Sequence, residues 1–349
     1  MDNTLDKKLI SYGDALYEAC FQEMANDENV FVYGLGVDDP KGHYGTSKDL
    51  HKVYGNKRNF DVPLSEDGLT GIGIGAALAG LRPIFVHQRM DFLLLCMNQL
   101  VNMAAKLRYI SSGEHSVPLV IRAAVGRSWG QGAQHSQSLQ SFFMHVPGIK
   151  VIAPTTPHDA KGALIASIRD NNPVIFIEHR MLYNNAGYVP SKTYEISFGK
   201  GRILKEGSDI TIVGVSHTVE DSLRAAELLK SVGVSAEVID PISLSPIDYN
   251  LIRNSVNKTK KLLVIDNGWM TCGFSSEIIT DAAINCQNVR YDRVGFTETP
   301  CPTTPSLEKY FYPNPQSIAI KANMMCGGSE KWEPPKVEQH EIISFKGPF

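Results

Sequence analysis

The stretch Asp61-Val-Pro-Leu-Ser-Glu66-Asp-Gly-Leu-Thr-Gly-Ile-Gly-Ile-Gly75 decides the fold. Its first half is polar and turn-forming. Its second half alternates glycine with isoleucine and runs on into Ala76-Ala-Leu-Ala-Gly80. Glycine permits close approach of one backbone to another. The stretch therefore reads as a loop ending near Glu66, then a helix whose small-residue face packs on a sheet or a second subunit. A competing reading is a dinucleotide site. Gly71-Ile-Gly73-Ile-Gly75-Ala76 loosely fits G-x-G-x-x-G/A, and Asp91 stands near the distance of a ribose-binding acid. That fingerprint must follow a buried strand directly, and residues 61–67 have no strand character. Close packing is the preferred reading. An isolated Glu before a helix is ordinarily a cap or a solvated charge.

Outward from this stretch, short apolar runs alternate with helical patterns. Strands are expected at 30–35, 83–86, 118–122, 150–153 and 174–178, then at 210–215, 236–239, 262–265 and 289–294. These runs are continuously apolar, as in parallel strands covered on both faces. Thr156-Pro157 predicts a helix over 157–169, with Thr as N-cap and Pro at the first helical position. Ser245-Pro246 predicts another in the same way. Strand–helix alternation argues for an α/β fold with doubly wound layers. Between Tyr183 and Gly207 turn residues replace the pattern. The expected division is a first domain over 1–190, a second over 200–325, and a polar tail over 326–349 that wraps a surface or stays disordered.

Composition narrows the function classes. Of 349 residues, 43% are hydrophobic and 20% charged, with a net charge of -3. That balance suits a globular protein with no nucleic-acid or anionic-membrane partner. Six scattered cysteines form no C-x-x-C pair, so neither a structural zinc site nor a disulfide framework is expected. The apolar run from 91 to 106 is broken by Asn98, Gln99 and Asn102, too polar for a membrane span. The first eight residues resemble neither a secretory nor a mitochondrial leader, which makes a cytoplasmic location the expectation.

Leu64-Ser65-Glu66 and the glycine-rich helix resemble, in type and order, the β subunit of thiamine-diphosphate-dependent 2-oxoacid dehydrogenases, the E1β branch of the transketolase superfamily. The resemblance continues through Ala79-Gly-Leu-Arg-Pro83, Asn98-Gln99-Leu-Val-Asn102-Met-Ala-Ala-Lys106, Ala133-Gln-His-Ser-Gln137, Asp159-Ala-Lys-Gly162 and Ile168-Arg-Asp-Asn-Asn-Pro173. It covers most of residues 10–325. It implies a pyrimidine-binding domain followed by a transketolase C-terminal-like domain. It also implies that Glu66 hydrogen-bonds the cofactor's aminopyrimidine and serves as its proton relay, with Leu64, Gln88 and Phe92 as further cofactor contacts. The cofactor carries the organic chemistry and the protein supplies orientation and proton transfer. His135, in Gly132-Ala-Gln-His-Ser-Gln137, becomes an active-site acid/base; taken alone it is a polar loop residue.

Three segments depart from the family pattern: Val86-His-Gln-Arg-Met-Asp-Phe92, Ala124-Val-Gly-Arg-Ser-Trp-Gly130 and Thr297-Glu-Thr-Pro-Cys-Pro-Thr-Thr-Pro305. From the first two, His87, Arg89, Arg127 and Trp129 are expected to reshape substrate recognition, toward a larger or more anionic substrate. Pairing of the arginines with acids at a subunit interface is the equal alternative. The loop Ser167-Ile168-Arg-Asp170-Asn-Asn172 matches the family's monovalent-cation (K⁺) site; otherwise it is a plain helix-to-strand turn. Asp266-Asn-Gly-Trp269 reads as a turn at an interface. A full Gly-Asp-Gly…Asn-Asn motif for Mg²⁺-diphosphate is missing. The resemblance then implies that an α subunit supplies those contacts, in an α₂β₂ assembly. A lipoyl-bearing acyltransferase is a further expected partner. The alternatives are a transketolase-like carboligase of sugar or secondary metabolism, and a non-enzymatic paralogue.

Overall fold

Uninterrupted β-branched runs form the buried centre of a seven-stranded sheet. The computed structural model describes residues 6–127 and 130–338. It begins with β1 (Lys7–Ser11), α1 (Tyr12–Asn26), β2 (Val30–Gly34), α2 (Leu50–Tyr54), β3 (Asn59–Phe60) and α3 (Glu66–Leu78). Then come β4 (Arg82–His87), a 3-10 segment Met90–Cys96, a π-helical segment Asn98–Ala104, α4 (Ala105–Ile110) and β5 (Val120–Val125). α5 (Gln140–Met144), β6 (Lys150–Ile152), α6 (Pro157–Arg169) and β7 (Val174–His179) complete this half. Six of its seven strands, all but β1, run parallel in the order β6-β7-β5-β4-β2-β3. Every residue of β5 and β7 is buried, because helices cover both faces.

The second half contains β8 (Ala186–Pro190), β9 (Arg202–Lys205), β10 (Ile210–Val213), α7 (His217–Leu229), β11 (Ala236–Asp240) and β12 (Ser243–Ser245). It continues with α8 (Tyr249–Thr259), β13 (Lys261–Trp269), α9 (Phe274–Asn285), β14 (Arg290–Phe296), α10 (Pro305–Glu308) and α11 (Pro315–Met325). The second sheet has the order β14-β13-β10-β11-β9, with only β9 antiparallel. All nine expected strands are present, and the fold class is α/β with two wound sheets.

Three local readings need correction. Residues 183–207 are not structureless, since β8 pairs antiparallel with β1. The expected helix start at Ser245-Pro246 is displaced. Ser245 is held in β12, which pairs with β6, and α8 begins only at Tyr249, capped by the Asp248 carboxylate accepting from Leu251 N at 3.2 Å. The segment 266–269 is not a turn but the end of β13.

β12 also joins the halves, because a strand of the later sequence extends the first sheet. One apolar core runs through both sheets, from Phe85, Leu100, Ile121 and Phe143 to Val213, Ile239, Leu262 and Phe274. α1 and α6 close the other face of the first sheet with Leu16, Leu164 and Ile165. Each such side chain contributes roughly 1.5–3 kcal/mol on burial. α6 begins as its sequence requires: Thr156 Oγ1 accepts from Asp159 N at 3.1 Å, and Pro157 needs no partner. The described part of the tail packs Trp332 and Val337 against the α7–α11 side of the second sheet; residues 339–349 of that tail lie outside the described residues. Among the described residues no helix is long and apolar enough to cross a membrane.

Candidate active site

The position of α3 fixes Glu66. Gly73 faces the Tyr33 hydroxyl so closely that a Cβ there would collide with it. The same hydroxyl donates to Leu69 O at 3.0 Å, which ties α3 to β2. Upstream, Asp61 Oδ1 accepts from Gly36 N at 2.7 Å and anchors the entering loop to the end of β2. Glu66 is then the first residue of α3, half-buried, with its carboxylate in the favourable field of the helix N-terminus. Thr70 Oγ1 donates to its main-chain oxygen at 2.7 Å; among the described residues no group bonds its carboxylate.

Glu66 opens onto a small cleft of about 40 Å³ shared with Val62, Leu64, Gln88, His87 and Phe92. All four residues expected to contact a cofactor therefore line one cavity, at the carboxyl ends of parallel strands, where open α/β sheets bind ligands. Gln88 donates its amide to Leu35 O at 2.7 Å, and its side chain also faces the buried His43 ring. His87 is buried with Nε2 unpartnered, its ring 4.2 Å from that of Phe85. Burial first, and His43 nearby, push its pKa down to about 3, so the ring is neutral.

His135 stands at the other end of Phe92. The two rings meet edge to face at 5.6 Å. Gly130 and Gly132 carry positive φ, and a Cβ on either would strike Thr303 of the later half. Asp91 Oδ1 accepts from Gln137 N at 3.1 Å and from its Nε2 at 3.0 Å. Arg180 Nη1 donates to Gln131 Oε1 at 2.7 Å. These contacts hold the His135 loop over the cleft. Asp61 and Arg180 were not singled out from sequence, and Asp91 was weighed there only as a ribose-binding acid. Asp61 sits inside the deciding stretch, but Arg180 carries no motif.

Residues 8–185 match the pyrimidine-binding domain of transketolase, and residues 199–318 match the transketolase C-terminal domain. The β subunit of the pyruvate dehydrogenase E1 component of Gracilaria tenuistipitata is 41% identical over 314 residues, spanning 88% of this chain and 97% of that relative. The chain belongs to the E1β branch of the transketolase superfamily. Other members include the β subunit of acetoin:2,6-dichlorophenolindophenol oxidoreductase of Cupriavidus necator, 39% identical over 90% of this chain and 97% of that relative. The mitochondrial pyruvate dehydrogenase E1 β subunit of Caenorhabditis elegans is 40% identical over 89% of this chain and 91% of its own length. Among solved structures, a split-gene transketolase in an inactive β4 tetramer superposes with a TM-score of 0.75 at 20% identity, covering 91% of this chain and 98% of that one. That likeness concerns the fold.

Not every expected site residue of this E1β chain reaches the cleft. Arg127 is buried and turned toward the second half. Its Nη1 donates to Pro313 O at 3.2 Å, its Nη2 lies 3.7 Å from Asp221 Oδ2, and its guanidinium covers the Tyr312 ring at 5.3 Å. It joins the two halves instead of lining the cleft. Trp129 lies outside the described residues. Arg89 donates to His135 O at 3.4 Å, at the edge of the site. The loop expected to hold K⁺ carries positive charge of its own. Arg82 Nη1 donates to the carbonyls of Ile168 at 2.9 Å and Asp170 at 3.1 Å, and Lys150 pairs with the Asp170 carboxylate. Asn172 bonds Asp170 Oδ1 through both of its nitrogens, and Ser167 Oγ turns back to Ala163 O.

Proposed function

We propose that this chain is the β subunit of a thiamine-diphosphate-dependent 2-oxoacid dehydrogenase or decarboxylase, and that the Glu66 cleft holds the aminopyrimidine half of the cofactor. The observation that carries this reading is one cavity lined by Glu66, Leu64, Gln88 and Phe92. Its lining suits a flat, amino-substituted heteroaromatic ring: apolar walls, one carboxylate and one amide oxygen. When bound, thiamine diphosphate supplies the electron sink that decarboxylation of a 2-oxo acid needs.

The chain's own residues have separable tasks. Glu66 holds or releases a proton at its carboxylate, toward a ring nitrogen of the ligand. Phe92 and Leu64 give the ring its faces and exclude water. Gln88 accepts from an amino group through Oε1. His135, packed on Phe92, moves a proton at the reacting end.

The Mg²⁺ and diphosphate contacts belong, on this reading, to an α-type subunit in an α₂β₂ assembly. The missing Gly-Asp-Gly…Asn-Asn motif and the printed name "subunit beta" of the relatives support this. A lipoyl-bearing acyltransferase is the natural acceptor. At the loop where the family implies K⁺, Arg82 and Lys150 already supply positive charge, which lowers the need for a free cation.

The test is 2-oxo acid decarboxylation with thiamine diphosphate, Mg²⁺ and an artificial electron acceptor, using the chain with its α-type partner. Glu66→Gln should lower turnover by about 10²–10⁴-fold, the range for a lost proton-transfer group, with the melting temperature unchanged. Activity that survives Glu66→Gln, or that needs no partner, would overturn the assignment.

A further inference from the structure

The carboxyl edge of the first sheet carries more positive charge than a proton relay requires. Arg89 follows β4, and Arg180 follows β7. Both leave the sheet beside the His135 loop.

Arg89 has an extended backbone that carries the chain away from the sheet. Its half-buried guanidinium makes a single long bond, to His135 O at 3.4 Å, and no ion pair among the described residues. A guanidinium has five N–H donors in a planar fork, so most of this fork has no acceptor among the described residues.

Arg180 stands behind it, fully buried and fixed. Its Nε donates to Arg127 O at 3.0 Å, its Nη1 to Gln131 Oε1 at 2.7 Å, and the Tyr44 hydroxyl lies alongside. The two charges feel each other. Burial first, then the charge of Arg89, lower the Arg180 pKa to about 10, against smaller raising effects of Tyr44 and Tyr312. The acid beside Arg89 is Asp91, whose Oδ1 is already bonded twice by Gln137. His43, also near Arg89, is buried, and desolvation drives its pKa to about 4, so it adds no charge. Glu178 is paired with Arg122 in the interior. An anion placed against Arg89 would relieve the repulsion between the two cations. The Arg fork matches carboxylate and phosphate geometry.

Resting on the thiamine-site reading above, we propose that Arg89, backed by Arg180, is an anion subsite at the His135 end of the Glu66 cleft. The substrate is then a 2-oxo acid whose side chain bears a second anionic group, a carboxylate or a phosphate. The buried, unpartnered Nε2 of His87 on the cleft wall gives a neighbouring polar point for the same side chain.

The experiment uses the assembled complex with three acids: 2-oxobutyrate, 2-oxoglutarate and 3-phosphohydroxypyruvate. The wild type should favour one of the two anionic acids over 2-oxobutyrate by about tenfold or more in kcat/KM. The preferred acid names the anion. Arg89→Gln should cost about a hundredfold on that acid, mainly in KM, and leave 2-oxobutyrate within about threefold. Arg89→Lys, which keeps the charge and loses the fork, should recover part of the loss. A wild-type preference for 2-oxobutyrate, or an equal loss on all three acids, overturns the subsite; equal loss would mean that Arg89 meets the carboxylate common to every 2-oxo acid. Glu66-dependent turnover of 2-oxobutyrate with no Arg89 effect leaves the thiamine-site reading standing and removes this one. Silence on all three acids overturns both.

Discussion

At the carboxyl edge of the first sheet, Glu66 is half-buried with a carboxylate unbonded by described residues, His87 has an unpartnered nitrogen, and Arg89 has one long bond. At the same edge of the second sheet, several polar groups bond within the chain, although Asp240 Oδ2, Asp266 Oδ1 and Ser216 Oγ are buried without a partner among the described residues. Asp266 Oδ2 caps α9 by accepting from Ser275 N at 2.8 Å, and Asp240 Oδ1 accepts from Ile242 N at 2.9 Å. Residues of the first half reach across to it: Thr155 Oγ1 donates to Ser216 O at 3.1 Å, and Gln140 Nε2 to Asn267 O at 3.0 Å. Two similar crevices thus have opposite fates. One is filled by the neighbouring half and becomes a junction. The other lies open beside the His135 loop, and an open crevice at the carboxyl ends of parallel strands is where a ligand belongs.

Glu66→Gln is the strongest attempt to break this contrast, since it should abolish turnover and leave folding intact. Asp240 probes the junction in the opposite way. Its carboxyl is pushed up to about 7, by burial first and then by Asp159, against weaker help from Thr155, Ile242 and Arg202. Asp159 is itself paired with Arg202 and His158, and the buried Tyr12 hydroxyl also faces Asp240. The folded-state pKa lies above the unfolded value of about 3.9. The stabilisation is therefore complete below about pH 4 and is lost as pH rises through about 7. The loss should reach roughly 4 kcal/mol at most in urea unfolding. Asp266, pushed up to about 6, adds a slope of the same sign. Asp240→Asn, which cannot ionise, should flatten the decline between about pH 4 and 7. An unchanged slope would show that the junction admits water or a cation that keeps Asp240 charged.

Arg127→Ala is next in size. It removes the bond to Pro313 O and the contact with Asp221, and leaves a buried carboxylate with less compensation. A loss of about 3 kcal/mol in chemical denaturation is expected. Catalysis should fall equally for every 2-oxo acid, because Arg127 acts on the junction and not on the cleft. A loss confined to one acid would move it into substrate recognition and blur the contrast between the two edges.

Much of this was legible in the sequence. Buried parallel strands announce themselves as unbroken Val/Ile runs, and Thr156-Pro157 marks a helix start by local bonding alone. Glu66, Leu64, Gln88 and Phe92 fall together because the loop and strand that carry them have recognisable neighbours. What escaped depends on partners far away in the chain. Ser245-Pro246 has the look of a helix start, yet β6 claims Ser245 for the sheet. Arg127 and Arg89 are chemically alike in sequence. Only the fold sends one to Asp221 and the other to His135. Arg180 follows an ordinary buried strand, with nothing local to mark it.

The smallest effect lies on α3, where two glycines differ in what surrounds them. Gly73 is pressed against the Tyr33 hydroxyl and the Leu119 side chain, while nothing lies within 4 Å of a Cβ built on Gly75. Alanine is the better helix former by about 1 kcal/mol. Gly75→Ala should therefore raise the stability of the isolated chain by roughly 0.5–1 kcal/mol in thermal unfolding. Gly73→Ala should lower it, because the helix must lift from β2 and break the bond from Tyr33 to Leu69 O that positions Glu66. If Gly75→Ala destabilises the chain as well, that face of α3 is covered in solution, and its small residues serve a subunit contact in addition to the sheet.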